Sequence, residues 1–330
     1  MTGNWLRRII MLAACASVAL LAGCGSSVES ALTPTRFISF GDAFSDVGNL
    51  GVNNKYTVND GSVNNWTQQL AASYGLSIAP SSSGGLGYAQ GNARITVTPD
   101  AAGSTATKTV TQQIDAFLAS NTLQPSDVVL INGGISDIVA EWEAMVAAGS
   151  TTAAQAQMTA NVTQAAKDLG AQVQRLVNAG AQHVVLVGTY DLSVSPWAAA
   201  IGQPRGTSLL SKTTVNFNDA LLLSVVNLGA DVLYVDAAFY FNIVTAAPSG
   251  YAPLGTTGNY PTPVPVCTSV DPGPGIGIGA NQVNSSLCTT STLLPGVDYT
   301  TYLFADPLYF APSAQRLFGT NAYTKLSQRW

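Results

Sequence analysis

The chain has 330 residues, 47% of them hydrophobic and 9% charged, with a formal net charge of -5; it can bury a full core, and disordered, collagen-like and coiled-coil classes are excluded. Thirteen Lys and Arg stand against eighteen Asp and Glu with no basic run, so the electrostatic footprint of nucleic-acid binding is missing. One histidine, His183, limits Ser-His-Asp, Cys-His and multi-histidine metal chemistry to that single residue.

The first element is an export segment. Arg7 and Arg8 precede an apolar run from Ile9 to Ala22, the pattern of a secretory signal and too short to span a bilayer stably. The run ends in Leu21-Ala22-Gly23-Cys24, which resembles the lipobox of bacterial lipoproteins; the alternative is an ordinary signal peptide with a chance cysteine. The resemblance implies a signal peptide over 1–23, acylation of Cys24 and attachment to a membrane through it. Gly25 follows in place of Asp, so the enterobacterial inner-membrane retention signal is absent and the outer membrane of the cell envelope is the expected location. Loss of Arg7 and Arg8 takes the charge from -5 to -7. Residues 24–34 then read as a lipidated tether and 35–330 as one domain.

Within that domain strand and helix signals alternate without a linker or repeat, which predicts an α/β fold with a parallel sheet. Phe37 to Phe40 reads as a strand breaking at Gly41-Asp42, and Asn64 to Tyr74 as a helix with Trp66, Leu70 and Tyr74 on one face. Val110 to Leu118 is an amphipathic helix, Val128 to Ile131 a buried strand ending at Asn132-Gly133-Gly134, and Val162 to Val177 a long helix. Val184 to Val187, a Pro-containing loop at Tyr190 to Trp197, a helix near Leu209 to Leu228 and a strand Val232 to Val235 ending at Asp236 complete the series. Functional groups in such sheets gather where strands end, at Gly41-Asp42, Gly133-Gly134 and Asp236. With Cys15 in the signal and Cys24 carrying lipid, Cys267 and Cys288 remain in an oxidising compartment and are expected to form a disulfide. The Gly/Pro-rich stretch at about 267–288 reads as a surface excursion; its glycines follow no strand and open no helix, so they make no phosphate cradle.

At the carboxyl edge the sequence resembles a known family. Phe40-Gly41-Asp42-Ala43-Phe44-Ser45-Asp46-Val47-Gly48-Asn49 is similar to the first block of GDSL (SGNH) hydrolases, bacterial esterases and lipases acting on ester bonds. Gly87 to Arg94 resembles the second block, Gly134-Ile135-Ser136-Asp137 the third, and Asp306-Pro307-Leu308-Tyr309 the Asp-x-x-His block, in order along nearly the whole mature chain. The resemblance implies a three-layer α/β/α sandwich with a flavodoxin-like sheet, the SGNH hydrolase fold. It assigns Asp306 as the catalytic acid and Gly91 and Ser136 to the oxyanion hole, with Asp42, Ser45 and Asp46 in support.

Three positions depart from the family pattern. The nucleophile position holds Ala43, which has no heteroatom to attack an ester. The base position holds Tyr309, whose phenol, with an ordinary pKa near ~10, is a poor base at neutral pH. The oxyanion asparagine is replaced by Ser136, a shorter hydroxyl. Ser45 reads as a turn or helix-start residue rather than a displaced nucleophile, Asp42 and Asp46 as loop and cap acceptors, and His183 as the entry to a strand at the opposite edge. No metal-ligand spacing exists and no cofactor is expected. The expected function is a non-catalytic member of the family, a lipid-anchored envelope protein keeping a pocket for an acyl ester, a glycan or a protein partner. The alternatives are an ester hydrolase with a rearranged site using Ser45 or Ser136, and a structural lipoprotein whose pocket is filled by side chains such as Tyr309 and Phe310.

Overall fold

In a computed structural model, described over residues 30–49, 54–256, 258–259 and 263–330, four strands form a parallel sheet: β1 (Arg36–Phe40), β2 (Asp127–Asn132), β3 (Val184–Val187) and β4 (Val232–Val235), side by side in that order. The signal segment and Cys24 lie outside the described residues. Phe37 sits opposite Val128, Val129 opposite Val184, and Val184 opposite Val232. The runs Val128 to Ile131 and Val184 to Val187 are buried throughout, as expected of parallel strands covered on both faces. On the free side of β1 the segment 86–88 makes a short parallel pairing. The Ser39 amide donates to the Leu86 carbonyl at 3.0 Å, and the Tyr88 amide to the Ser39 carbonyl at 2.7 Å.

The helices in chain order are α1 (Trp66–Ser73), α2 (Val110–Leu118), α3 (Ile135–Ala147), α4 (Thr152–Asn178), α5 (Pro196–Ile201), α6 (Leu210–Ser224), α7 (Ala237–Ala246) and α8 (Pro312–Arg329). Their starts follow local chemistry. Asn65 caps α1 by accepting from the Thr67 amide, Thr109 and Gln112 form a capping box on α2, and Asp236 caps α7 by accepting from the Phe239 amide. Side chains two apart on a strand share a face and odd offsets oppose, so Phe37 and Phe40 point to opposite sides of the sheet. Phe37 packs on Tyr74 at the end of α1, while Phe40 packs on Phe117 of α2. Helices therefore cover both faces: α1 packs against α8, whose Phe318 stacks on Phe241 of α7, and α2 and α6 pack against α4 on the other side.

Four features differ from the sequence reading. Helices α3, α5, α7 and α8 were not expected; α5 begins at Pro196, inside the stretch read as a Pro-containing loop, with Pro196 at its first turn and Ser195 as its cap. The sequence of α7, AAFYFNIVTA, is apolar on every side, and α8 buries Ser313, Gln315 and Gly319 beside Phe318 and Leu326, so neither shows a clean apolar stripe. The last part of the expected tether is fixed to the domain, where the Leu32 amide and the Ser30 hydroxyl both donate to the Trp330 carbonyl. The excursion carries a small hairpin, β5 (Val270–Asp271) with β6 (Gln282–Val283), and its tip turns inward: Ile276 is buried and the Gly275 carbonyl accepts from Asn92 Nδ2 at 2.8 Å. The disulfide forms between Cys267 and Cys288, with Cα atoms 5.9 Å apart. No helix among the described residues is long and apolar enough to cross a membrane.

Candidate functional site

The four sequence blocks converge at the carboxyl edge of the sheet. Asp42 follows β1; its carboxylate accepts from the Phe44 amide at 3.0 Å and from Asn132 Nδ2, at the end of β2, at 2.7 Å. Gly41 makes that approach possible, since an added Cβ would lie 1.9 Å from Asn132 Oδ1. Burial raises the Asp42 pKa, opposed by the Phe44 amide, Asn132 and the Ile135 and Ser136 amides at the start of α3. Both hydrogen bonds fall on Oδ1, and Oδ2 is buried without a hydrogen-bond partner.

Asp46 spends both oxygens on backbone. Oδ1 accepts from the Gly48 and Asn49 amides, each at 2.9 Å, and Oδ2 from the Gly91 amide at 2.8 Å. The hydrogen assigned by resemblance to an oxyanion therefore points at a buried carboxylate. The open side of Gly91 is filled as well, because a Cβ there would sit 2.0 Å from the Tyr56 hydroxyl. Tyr56 in turn packs edge-on against Tyr309, with ring centroids 5.3 Å apart. Both phenols have pKa values pushed well up by burial, so neither acts as a base near neutrality.

Asp306 is fully buried. Oδ1 accepts from the Leu308 and Tyr309 amides at 2.8 and 2.7 Å, and Oδ2 from the Ser285 amide at 3.0 Å and the Ser285 hydroxyl. Burial raises its pKa to about 6 against those four donors. Its loop is clamped by Tyr190, whose hydroxyl donates to the Leu308 carbonyl at 2.7 Å, and by the Trp197 amide, which donates to the Pro307 carbonyl at 3.0 Å. Arg94 of the second block pairs with Asp137 at 3.4 Å and Glu141 at 2.6 Å, tying that block to α3.

The family assignments land together yet closed. Ala43, Ser136, Asp306 and Tyr309 are each exposed by 1% or less. Ser45 accepts from Trp66 Nε1 at 3.1 Å, a packing role, and the Ser136 hydroxyl is buried without a partner. His183 lies at the other edge, at the entry to β3, against Trp330 at 4.9 Å. Asp236 acts as a helix cap. Sequence reasoning missed Tyr56 and Ser285; neither lies in a recognisable block, and only the nearness of Ser285 to Cys288 hinted at its place. Among the described residues no cluster of His, Cys, Asp and Glu is placed to hold a metal ion. A cavity of about 670 Å³ lies on the far side of the Asp306 loop, lined by Asp191, Ser193, Gln203, Asn242 and Thr245 among others, and by none of the five assigned catalytic and oxyanion positions. No family model matches the chain, and no curated protein matches it.

Proposed function

We propose that this chain is a non-catalytic protein on an SGNH-hydrolase-like scaffold, held at the bacterial envelope through an acylated Cys24. The observation that carries this reading is the Gly91 amide donating to Asp46 while Tyr56, packed on Tyr309, fills the space at the Gly91 Cα. An ester carbonyl meets no nucleophile at Ala43, and the Gly91 amide is already spent on Asp46. The finer fold assignment draws support from the segment 86–88: counted as a strand, it makes the chain order across the sheet 2-1-3-4-5, the flavodoxin-like order.

The binding half of the proposal moves from the closed centre to the 670 Å³ cavity beside it. Its size suits a small ligand, and Asp191, Gln203, Asn242 and Thr245 offer carboxylate, amide and hydroxyl partners to a glycan beside an apolar wall of Val194, Ala198, Ala199 and Pro263 against which a sugar face packs. Isothermal titration of the intact protein with envelope glycan oligomers and with short-chain acyl esters, followed by product analysis, tests both halves. Saturable heat with glycan and intact ester are expected. No heat with glycan removes the binding half, and released carboxylic acid removes the non-catalytic half.

A further inference from the structure

We infer that the amino edge of the sheet, opposite the closed centre, is a surface that docks on an anionic lipid leaflet. The inference rests on the acylated Cys24 proposed above. From Cys24 to Ser30 is six residues, which span at most about 20 Å fully extended. Ser30 itself is fixed, its hydroxyl donating to the Trp330 carbonyl at 2.8 Å. The pole that carries Ser30 and Trp330 is therefore held within that distance of the leaflet, and the carboxyl edge faces away.

That pole is suited to the contact. Arg329 donates to the Gly229 carbonyl, which brings the turn after α6 beside Trp330 and the tether exit. Just before this turn Leu223 is 74% and Val226 69% exposed, an apolar pair at the end of a helix with nothing of the described chain over it. The loops 120–126 and 178–183 at this edge contain no Asp, Glu, Lys or Arg, the loop before β4 carries the half-buried Asp231, and Arg36 at the start of β1 is paired with the buried Asp127, so docking desolvates few formal charges. Lys325 and Arg329, both exposed in the last turns of α8, add attraction to an anionic leaflet that outweighs the single half-buried Asp231 at the amino end of β4, whereas Asp191 and Asp236 lie at the carboxyl ends of β3 and β4, away from it. Exposed apolar side chains beside basic ones at a lipid-tethered pole form an interfacial contact, with Leu223 and Val226 entering the headgroup region.

The test uses the full acylated chain in vesicles of phosphatidylethanolamine and phosphatidylglycerol. Cys267 and Cys288 are joined and Cys24 is acylated, so a cysteine introduced by Val226→Cys, or by Ala200→Cys on α5 as the remote control, takes an environment-sensitive dye alone. A blue shift at position 226 that lipid-borne quenchers suppress, with no change at position 200, is expected. Equal, aqueous-type emission at both positions overturns the docking pole while leaving the anchor intact. An intact mass without acyl groups removes the anchor reading, and the docking pole with it.

Discussion

Asp46 plays a structural part: one buried carboxylate satisfies three backbone amides, and burial raises its pKa to about 6 despite them. Gly91 is held between that carboxylate and the Tyr56 ring, so Gly91→Ala drives a methyl into the phenol. A loss of about 1–3 kcal/mol is expected in urea unfolding. Tyr56→Leu in the same chain is expected to cost less than the two changes summed, and strict additivity would mean that the two residues do not touch. Burial also raises Asp306 to about 6 and Asp137 to about 7, from an ordinary 3.8. Each of these acids binds its proton more tightly when folded, so its stabilisation is full below about pH 4 and is lost as pH rises through the folded pKa. Urea midpoints are therefore expected to fall from about pH 4 to about pH 7 and then level. Asp137→Asn removes the last part of that fall, and an unchanged profile would show that Asp137 does not titrate there.

At the scale of elements, the excursion is the part whose role the fold changes most. Its ends are joined by the disulfide, Ser285 beside Cys288 holds Asp306, and its tip reaches Asn92 next to Gly91. The bridge therefore fixes a cover over the closed centre as well as a loop. Cys267 and Cys288 are separated by 21 residues, and closing a loop of that size stabilises by about 3 kcal/mol. Reduction, or Cys267→Ser with Cys288→Ser, is expected to lower stability by that order and to raise hydrogen exchange at Asn92 and Gly91. Protection left unchanged there would separate the excursion from the centre. The strands and the helices α1, α2, α4 and α6 were legible because their period and caps are local: Val128 to Ile131 is continuous, and Asn65 and Thr109 announce their helices. Helix α8 was not, since it buries Gln315 and Gly319 through partners such as Trp66 and Gln69, which lie hundreds of residues away.

Over the whole molecule the two edges of the sheet divide the roles. The carboxyl edge brings together Asp42, Asp46, Gly91, Ser136 and Asp306, residues whose convergence was readable from ordered blocks. The ring of Tyr56 that closes the space was not readable, because it comes from a loop with no periodic or motif signal and acts by contact with Gly91 and Tyr309. The amino edge carries the attachment of Ser30 and Leu32 to Trp330, with Arg36, Asp127 and Asp231 at the starts of β1, β2 and β4. The closed centre and its neighbouring cavity thus lie at the opposite edge of the sheet from Ser30 and Trp330.

Hydrolysis of short p-nitrophenyl esters by the intact protein, beside an Ala43→Ser, Tyr309→His double variant, tests the central claim most directly. Both proteins are expected to leave the ester intact, since restoring nucleophile and base frees neither the Gly91 amide nor the space that Tyr56 fills. Turnover by the double variant would show that the centre is open after all. Turnover by the natural protein that disappears on Ser45→Ala or Ser136→Ala would contradict the account outright and identify a displaced nucleophile.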